Sequence, residues 1–250
     1  THPHEDHIGG MPKIFEKYQV DYVFRPYVYS TYSQASNLPE GFNQGSTRSS
    51  YSCNSKIYYT FLQCIVDEGS GWSFFNKDSD ISFVVKDDAL VEYTLSFDFL
   101  TPTADVADIS YKSKLNNYSP IIKVSYGGFD ILLTGDAEKE AEKELCDYYT
   151  DLNYLDVDLL KVGHHGSDTS STEDFLLAVK PEISVISCGV GNSYHHPIAS
   201  TLNGLVTVGS TIYRTDVQGN IILTVDEHGA HNIVTTKTGY NEADLYVPGV

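Results

Sequence analysis

Apolar and polar residues alternate along the chain in short runs whose period changes several times. Apolar residues recur at helical spacing in MPKIFEKY and then alternate, as in a strand, in QVDYVF. The segment SKIYYTFLQCIVDEG predicts a helix that ends at Gly69. Between residues 73 and 99 the pattern is strand-like, with the runs DISFVV and VEYTLSFDFL.

The second half of the chain alternates strands with helices. PIIKVSYGGFDILLTGDA predicts a hairpin, and EKEAEKELCDYY predicts a helix whose early turns are acidic, which suits the positive end of the helix dipole. VDLLKVG and ISVISCG predict strands on either side of a helix in STEDFLLAVKP, for which Ser or Thr can act as N-cap. STIYRTDVQGNIILTVDEHG predicts another hairpin. This order predicts a mixed α/β (α+β) domain.

Two polar stretches interrupt this order. Residues 30–52 are rich in Ser, Asn and Gly, and a second polar stretch covers about 101–117. Strand–helix units continue on both sides, so we interpret these stretches as insertions rather than linkers. The prediction is a single domain over residues 1–250 with a divergent insertion at about 30–100.

Composition excludes some classes of protein. With 250 residues the chain is long enough for a substantial core, and no run approaches the roughly 20 apolar residues of a membrane span. The net charge of −18 argues against general attraction to nucleic acid or anionic lipid, although bound metal can still attract a phosphate substrate. The four cysteines form no CxxC pair, which favours free thiols with at most one disulfide.

The strongest chemical motif is the run His2-x-His4-x-Asp6-His7. Residues two apart in an extended segment point to the same side, so His2 and His4 can converge on one metal ion. Asp6 and His7 follow on a turn and can reach a second ion beside it. Imidazole and carboxylate ligands without thiolate suit zinc, manganese or iron. We predict two divalent ions, with zinc favoured and manganese the alternative, that activate a bridging hydroxide.

Asp136 stands in ILLTGDA, where an apolar strand delivers a carboxylate to its carboxyl end. Sites on open sheets form at that end of the strands. A carboxylate between two dications would offset their mutual repulsion. Taken alone, an Asp in this position more often caps the following helix, and only its combination with the histidine run favours a metal bridge.

Two histidine pairs follow later predicted strands. In LLKVGHHGSDTSS, one of His164 and His165 would bind metal and the other would protonate the leaving group, with their assignment open. Ser167, like Thr169 and Ser170, can bind a substrate oxygen, although helix capping is the commoner role.

The second pair stands in GNSYHHP, which offers Asn192, Tyr194, His195 and His196. The three clusters hold seven of the nine histidines, which favours their meeting in space. The remaining two lie near a C-terminal turn and are expected to be exposed: His228 and His231.

This ordered set of motifs resembles the metallo-β-lactamase superfamily. More narrowly, HPHEDHIGGMP, NNYSPIIKVSYGGFDILLTGDAE, LLKVGHHGSDTSS, NSYHHP and IYRTDVQGNI resemble the hydrolase domain of the ComEC/Rec2 competence proteins and their stand-alone relatives. The likeness covers nearly the whole chain outside residues 30–100. It implies a four-layer αββα sandwich with a dinuclear site at one edge of its two sheets.

The resemblance also implies the ligands of the two metals. His2 and His4 would bind the first ion, Asp6 and His7 the second, and Asp136 would bridge them.

The remaining roles implied by the resemblance concern the later motifs. His164 and His196 are expected as further ligands or near-ligands, and His165 as proton donor or phosphate contact, so that the catalytic residues are Asp6 and His165. The expected substrate contacts are Asn192, Tyr194 and Ser167.

The chain departs from the family pattern in three places. The strands that normally precede the first motif are absent, so we expect the sandwich to lack its first N-terminal strands, and the chain, which starts without Met, to lack its natural N-terminus. Many members have another metal His before Asp136; here Asn116 and Asn117 occupy that place, so water or Asn would complete the first ion's ligands. His195 stands where this branch more often has Gly.

The predicted function is a dinuclear metal-dependent hydrolase of a phosphodiester or other phosphoester. DNA cleavage, as proposed for ComEC-like domains, is disfavoured by the charge of −18. Related phosphocholine esterases share the fold, and the 19 Tyr residues could line a choline pocket, although Tyr is also common in sheets. The alternatives are a carbon-centred hydrolase of lactones, thioesters or β-lactams, and a degenerate metal-binding module without activity. The sequence does not indicate a cellular location.

Overall fold

The computed structural model describes residues 1–43, 52–86, 90–104 and 114–249. The helices in these ranges are α1 (Glu5–Ile8), α2 (Met11–Lys17), α3 (Lys56–Glu68), α4 (Lys139–Tyr148), α5 (Leu152–Leu155), α6 (Glu173–Val179), α7 (Ala199–Thr207) and α8 (Thr215–Gln218). The strands are β1 (Tyr22–Arg25), β2 (Tyr29–Ser30), β3 (Ser52–Cys53), β4 (Gly71–Phe74), β5 (Ile81–Lys86), β6 (Glu92–Phe99), β7 (Ile122–Tyr126), β8 (Phe129–Leu133), β9 (Leu159–Lys161), β10 (Ile183–Ile186), β11 (Thr211–Arg214), β12 (Ile221–Val225) and β13 (His231–Thr235). Short 3₁₀ segments are Ala35–Asn37, Leu115–Tyr118, Gly163–Gly166 and Glu242–Tyr246.

A seven-stranded sheet forms the centre of the molecule, in the order β11-β10-β9-β8-β7-β6-β5. Strands β5 to β8 run antiparallel to their neighbours, whereas β8, β9, β10 and β11 are parallel. The change follows from the connections, because β7 and β8 are joined by a tight Gly127-Gly128 turn while each later parallel strand is reached through a helix. The prediction of a mixed α/β fold is confirmed.

Helices cover one face of this sheet. Leu62 and Ile65 of α3, Leu145 of α4, Phe175 of α6 and Leu205 of α7 are almost completely buried and belong to one hydrophobic cluster. Each buried side chain of this size contributes about 1.5–3 kcal/mol relative to its exposed state. This cluster fixes the helices against the strands that carry the candidate site.

The other face of the sheet packs against a two-stranded sheet. Phe129, Leu159 and Ile183 on the large sheet contact Leu223 and Ile233 from the β12–β13 hairpin. Helix, sheet and sheet are therefore stacked in layers, an arrangement compatible with the expected α+β sandwich. The position of the C-terminal hairpin was predicted wrongly, because β11 pairs with β10 and the hairpin joins β12 to β13.

The N-termini of α4 and α6 are held by side chains from other segments. The Asn117 amide oxygen accepts from the backbone N–H of Glu138 at 2.8 Å. At α6 the N-cap position is Thr172, as the sequence allowed, but the Glu142 carboxylate accepts the backbone N–H groups, including that of Thr172 at 2.9 Å. A threonine therefore stands at the N-cap of α6, as expected, although its hydroxyl makes no capping hydrogen bond and instead donates to the Glu142 carboxylate at 2.8 Å.

The remaining expectations about the chain are partly testable. Residues 44–51 and 105–113 of the two polar stretches lie outside the described residues, while Leu115–Tyr118 forms a 3₁₀ turn. All four cysteines are free. Among the described residues, none of the helices combines the length and the apolar character needed to cross a bilayer. The single-domain organisation stays a prediction.

Candidate metal centre

The parallel strands β8, β9 and β10 end at the same edge of the sheet, and the later histidines and Asp136 follow directly after them. Asp136 comes three residues after the end of β8, and His164 and His165 come shortly after β9. Because parallel neighbours present their carboxyl ends together, residues far apart in the chain meet there. The N-terminal motif reaches this edge through α1, whose Ile8 is buried in the core.

In the opening motif, a bend at Pro3 precedes His4, which has extended backbone just before α1 begins. His4 is the N-cap residue, and α1 starts at Glu5, so that Asp6 and His7 lie on its first turn. Nε2 of the fully buried His2 comes within 2.8 Å of Nδ1 of His4. The two imidazoles of the motif therefore lie side by side, as predicted.

Asp136 lies between the two halves of the motif. Its Oδ2 is 3.7 Å from Nε2 of His2, and its Oδ1 is 3.1 Å from Nε2 of His7. The side chain is almost completely buried, with its two oxygens facing different histidines. This is the placement expected of a bridging carboxylate.

His165, rather than His164, joins Asp6 and His7. Its Nε2 lies 3.3 Å from Oδ2 of Asp6 and 3.7 Å from Oδ1 of Asp136. One ligand atom from each of Asp6, His7, Asp136 and His165 falls within 4.8 Å of all the others, and we call these four residues the second pocket.

The second pocket fits a divalent ion for two reasons: its ligand atoms are close together, and three of them are buried without a well-formed hydrogen bond. Nε2 of His7, Oδ1 of Asp136 and Nε2 of His165 are buried and form no hydrogen bond of good geometry, although His7 Nε2 and Asp136 Oδ1 are only 3.1 Å apart. Buried polar atoms are normally satisfied, and three unsatisfied ones facing each other are costly. An imidazole and carboxylate set of this kind is a suitable ligand group for zinc or manganese.

We call His2, His4 and Oδ2 of Asp136 the first pocket. His164 stands at its edge, with Nε2 at 3.9 Å from Oδ2 of Asp136. The Asn116 amide nitrogen lies 3.4 Å from the same Nε2 and donates to Oε1 of Glu138 at 3.0 Å. Asn116 thus lies against the ring of His164, and its Oδ1 is buried without a hydrogen-bond partner.

The outer nitrogens of the clustered histidines are held by neighbouring oxygens. Nδ1 of His165 is 2.7 Å from the Ser187 carbonyl oxygen, and Nδ1 of His164 is 2.9 Å from Oγ1 of Thr169. The two remaining contacts of this kind are His7 Nδ1 with Thr1 Oγ1 at 2.8 Å and His2 Nδ1 with Ser119 Oγ at 3.0 Å. A proton on Nδ1 leaves the lone pair of Nε2 directed into the centre, as metal-binding histidines require.

Backbone strain accompanies this arrangement. His164 has φ 46° and His165 has φ 57°, both in the left-handed region that non-glycine residues rarely adopt. Such residues cost about 1–3 kcal/mol each and persist where the surrounding structure holds them. Here the strand end and the contacts of the two rings hold them, so the strain marks a functional candidate.

Burial and neighbouring charge shift two pKa values in the centre. Burial lowers the pKa of His2 to about 2, against a smaller opposing effect of Asp136, so the ring is neutral at pH 7. Burial alone would raise the pKa of Asp136, but the contact with His7 and the charges of the nearby histidines lower it to about 2. An ionised Asp136 beside a neutral His2 matches the protonation state that metal binding needs at these two residues.

Comparison with known proteins agrees with these motifs. No protein-family model matches the chain. It is 31% identical over 221 residues to ComE operon protein 3 of Bacillus subtilis, which is 88% of this chain and 23% of that protein. It is 37% identical over 127 residues to competence protein ComA of Neisseria gonorrhoeae (50% of this chain, 17% of that protein), and 38% identical over 106 residues to recombination protein 2 of Haemophilus influenzae (42% and 13%).

The chain is a ComEC/Rec2-like protein. It therefore belongs to the branch that carries a metallo-β-lactamase-like domain, as the sequence motifs predicted. The chain spans less than a quarter of the length of the curated relatives that it matches. Their names refer to competence and recombination, and those roles belong to the longer proteins.

The GNSYHHP loop of this ComEC/Rec2-like chain lies beside the first pocket. The ring of His196 is 5.9 Å from that of His164, and its Nδ1 is buried without a hydrogen-bond partner. Burial is the main cause that lowers the pKa of His196. Tyr194 stacks on His196 at 5.7 Å and is 75% exposed, so it presents an aromatic face to solvent.

Two of the predicted substrate contacts already have partners within the protein. The Asn192 amide accepts from the backbone N–H of His196 at 2.9 Å and donates to its carbonyl oxygen at 2.7 Å, so it holds the loop. Ser167 is 3% exposed and its hydroxyl contacts Thr169, which in turn contacts His164. Tyr194 is thus the predicted contact that remains open to solvent.

Sequence reasoning did not identify Glu138 and Ser119 as part of the centre. Oε1 of Glu138 is 3.7 Å from Nδ1 of His164, and Oγ of Ser119 contacts His2. Glu138 directly extends the motif that contains Asp136, and its position two residues away was the available signal. Ser119 is separated from His2 by 117 residues, so no local pattern points to it.

Proposed function

We propose that this chain is a dinuclear metal-dependent phosphodiesterase. The observation that carries the proposal is the second pocket, where buried, unpartnered atoms of His7, Asp136 and His165 converge with the carboxylate of Asp6. The orphaned atoms have the chemistry and spacing of metal ligands. A structural role would instead leave them hydrogen-bonded.

The residues present divide between the two ions. The first pocket would hold one ion through His2, His4 and Asp136, and the second pocket would hold the other, with Asp136 shared. Two divalent ions at such a site supply hydroxide at neutral pH and offset negative charge on phosphoryl oxygens. In this proposal His165 is a ligand, and His164 lies at the edge of the first pocket.

The protein's own groups would complete the reaction. Asp136, ionised because nearby histidines lower its pKa, keeps the two halves of the motif together. His196 is the candidate for protonating the leaving oxygen in its imidazolium form, because it lies beside His164 and no hydrogen bond holds its Nδ1. The lowered pKa of His196 makes this form a stronger acid but a less populated one. Tyr194, stacked on His196, would lie against the leaving group.

The relatives support a role in the handling of DNA by competence and recombination systems. DNA contains phosphodiesters, so such a role agrees with the proposed chemistry. The net charge of −18 disfavours general attraction to a long duplex, which favours a small phosphodiester or a short single strand as substrate.

The test is a substrate panel on metal-replete protein of known metal content. We expect about two ions per chain and hydrolysis of bis-p-nitrophenyl phosphate, with little activity on lactones, thioesters or nitrocefin. A radiolabelled single-stranded oligonucleotide and the matching duplex test the DNA substrate directly. Preference for the carbon-centred substrates would replace the proposal with its alternative. Metal content near zero would identify a degenerate module.

A matched variant keeps this test specific. Asp136→Asn preserves the size of the side chain and removes its charge, whereas Asp226→Asn makes the same change on the exposed β12–β13 turn. We expect the first variant to lose activity and the second to retain it. Equal activity in both would assign the hydrolysis to a contaminant and contradict the proposal.

A further inference from the structure

The Ser119 side chain contacts both Asp136, the candidate bridging residue, and His2 of the first pocket. It lies between the Leu115–Tyr118 turn and β7 and is 1% exposed. Its Oγ is 3.0 Å from Nδ1 of His2 and accepts the backbone N–H of Asp136 at 3.0 Å. One hydroxyl therefore contacts a ligand of the first pocket and the main chain of the residue shared by both pockets.

The topology explains why this hydroxyl reaches the site. β7 runs antiparallel to β8, with Ile122 opposite Leu133, so the residues before β7 lie beside those after β8. Gly135 follows β8 with φ 53°, and a Cβ there would come within 2.8 Å of the Ser119 Cβ and 2.9 Å of its Oγ. The glycine thus supplies both the backbone conformation and the space that the serine occupies.

One of the two possible directions of the Ser119–His2 hydrogen bond corresponds to the form of His2 that can bind metal through Nε2. The N–H of Asp136 uses one lone pair of the serine oxygen, and the other lone pair is available to an N–H on Nδ1 of His2. That arrangement leaves Nε2 unprotonated, and Nε2 is the atom that faces His4 and Asp136. Outer partners of this kind fix the tautomer and ring orientation of metal-binding histidines.

We propose that Ser119 is a positioning residue that holds His2 in the Nδ1–H form and sets the affinity of the first pocket for its ion. This inference rests on the proposed metal-dependent function. The second pocket is positioned differently, because its His165 is held by the main-chain carbonyl of Ser187. Loss of the Ser119 hydroxyl is therefore expected to weaken the first ion much more than the second.

The test is a cobalt(II) titration of metal-free protein, followed by visible absorption and by competition with a chelator. Ser119→Ala is expected to lower the affinity of the first pocket, which we take as the weaker site, about 10- to 100-fold, the usual effect of an outer-shell partner. The affinity of the second, tighter site should change less than about threefold. The control is Ser184→Ala, because Ser184 is also fully buried and bonds another serine hydroxyl, that of Ser210, at 2.6 Å. Equal weakening of both ions in Ser119→Ala, or the same change in Ser184→Ala, would contradict the inference.

A double-mutant cycle separates positioning from a general structural effect. In a His2→Ala background the hydroxyl has no imidazole to orient, so adding Ser119→Ala should change cobalt affinity less than about twofold. An undiminished effect in that background would show that Ser119 does not act through His2. The failures remain distinct, since a wild-type protein that binds no metal overturns the proposed function, whereas unchanged affinities in Ser119→Ala overturn the inference alone.

A measurement on the wild-type chain covers the case in which Ser119→Ala does not fold. Long-range ¹H–¹⁵N correlation spectra of the zinc-loaded protein distinguish the two histidine tautomers. His2 is expected to show a proton on Nδ1 and a metal-shifted Nε2. A metal-shifted Nδ1 would overturn the inference.

Discussion

The first and second pockets share Asp136 but differ in how completely the protein furnishes them. The second pocket has four ligand atoms within 4.8 Å of one another, and the sheet edge contributes His165 to it. The first pocket has His2 and His4, and its neighbours His164 and Asn116 face each other rather than supplying a further close ligand. The comparison teaches that a short motif can provide ligands for two ions, while the sheet edge decides which ion is fully enclosed.

The largest effect is expected from Asp136→Asn, because this residue is common to both pockets. Without the carboxylate charge, no anion would offset the repulsion between an ion bound by His2 and one bound by His7. We expect neither ion to survive dialysis, and hydrolysis of bis-p-nitrophenyl phosphate to fall more than about 100-fold, beyond the range typical of an outer-shell change. Metal content by mass spectrometry and initial rates provide the measurements. Retention of either ion at wild-type affinity would show that Asp136 is not shared.

The next largest effect is a difference in metal content between variants of two adjacent histidines. His165→Ala removes a ligand of the second pocket and should reduce the metal content by about one ion per chain, whereas His164→Ala should keep both ions with a weaker first one. Both residues have left-handed backbone, and Ala keeps that strain at either position, so the pair of variants is matched in backbone conformation. If His164→Ala is the variant that loses an ion, the assignment of the two pockets is reversed.

Much of the centre could be predicted because its chemistry is concentrated in short motifs. The short run that holds His2 and His4, and the strand that ends before Asp136, carry their geometry in local sequence. The choice between His164 and His165 could not be made in this way. Both follow β9 directly, and left-handed backbone at both positions, rather than a simple alternation, decides which ring joins Asp6.

The features that sequence reasoning missed depend on pairing between distant segments. Ser119 reaches His2 because β7 lies beside β8, and a pairing register is not visible in either strand alone. The C-terminal hairpin was misplaced for a similar reason. IYR and NIILTV have the same strand character, and whether β11 joins the central sheet depends on its packing against β10.

A pH series on metal-free protein measures how much the buried, neutral His2 contributes to the free energy of unfolding. Burial lowers the pKa of His2 to about 2, below its unfolded value near 6.5, so its contribution to stability is complete above pH 6.5 and is lost as the pH falls toward 2. His2 alone is expected to decrease the free energy of unfolding by about 1.4 kcal/mol for each pH unit below 6. Urea unfolding at pH 7, 6 and 5 should show this slope reduced in His2→Gln. Parallel curves for the two proteins would mean that the pKa of His2 is the same in the folded and the unfolded chain.

The smallest effect is expected where the chain touches neither pocket. His195 has φ 58° in the exposed loop beside His196. By the resemblance described above, ComEC/Rec2-like proteins more often have Gly at this position. A left-handed residue other than Gly costs about 1–2 kcal/mol, while Gly adds flexibility to the unfolded chain, so His195→Gly should raise the free energy of unfolding by about 0.5–1 kcal/mol. Denaturant midpoints measure this gain, and cobalt titration should show both ions unchanged. A lower affinity for the first ion in His195→Gly would instead show that His195 supports the first pocket. The two pockets would then differ less in how completely the protein surrounds their ions.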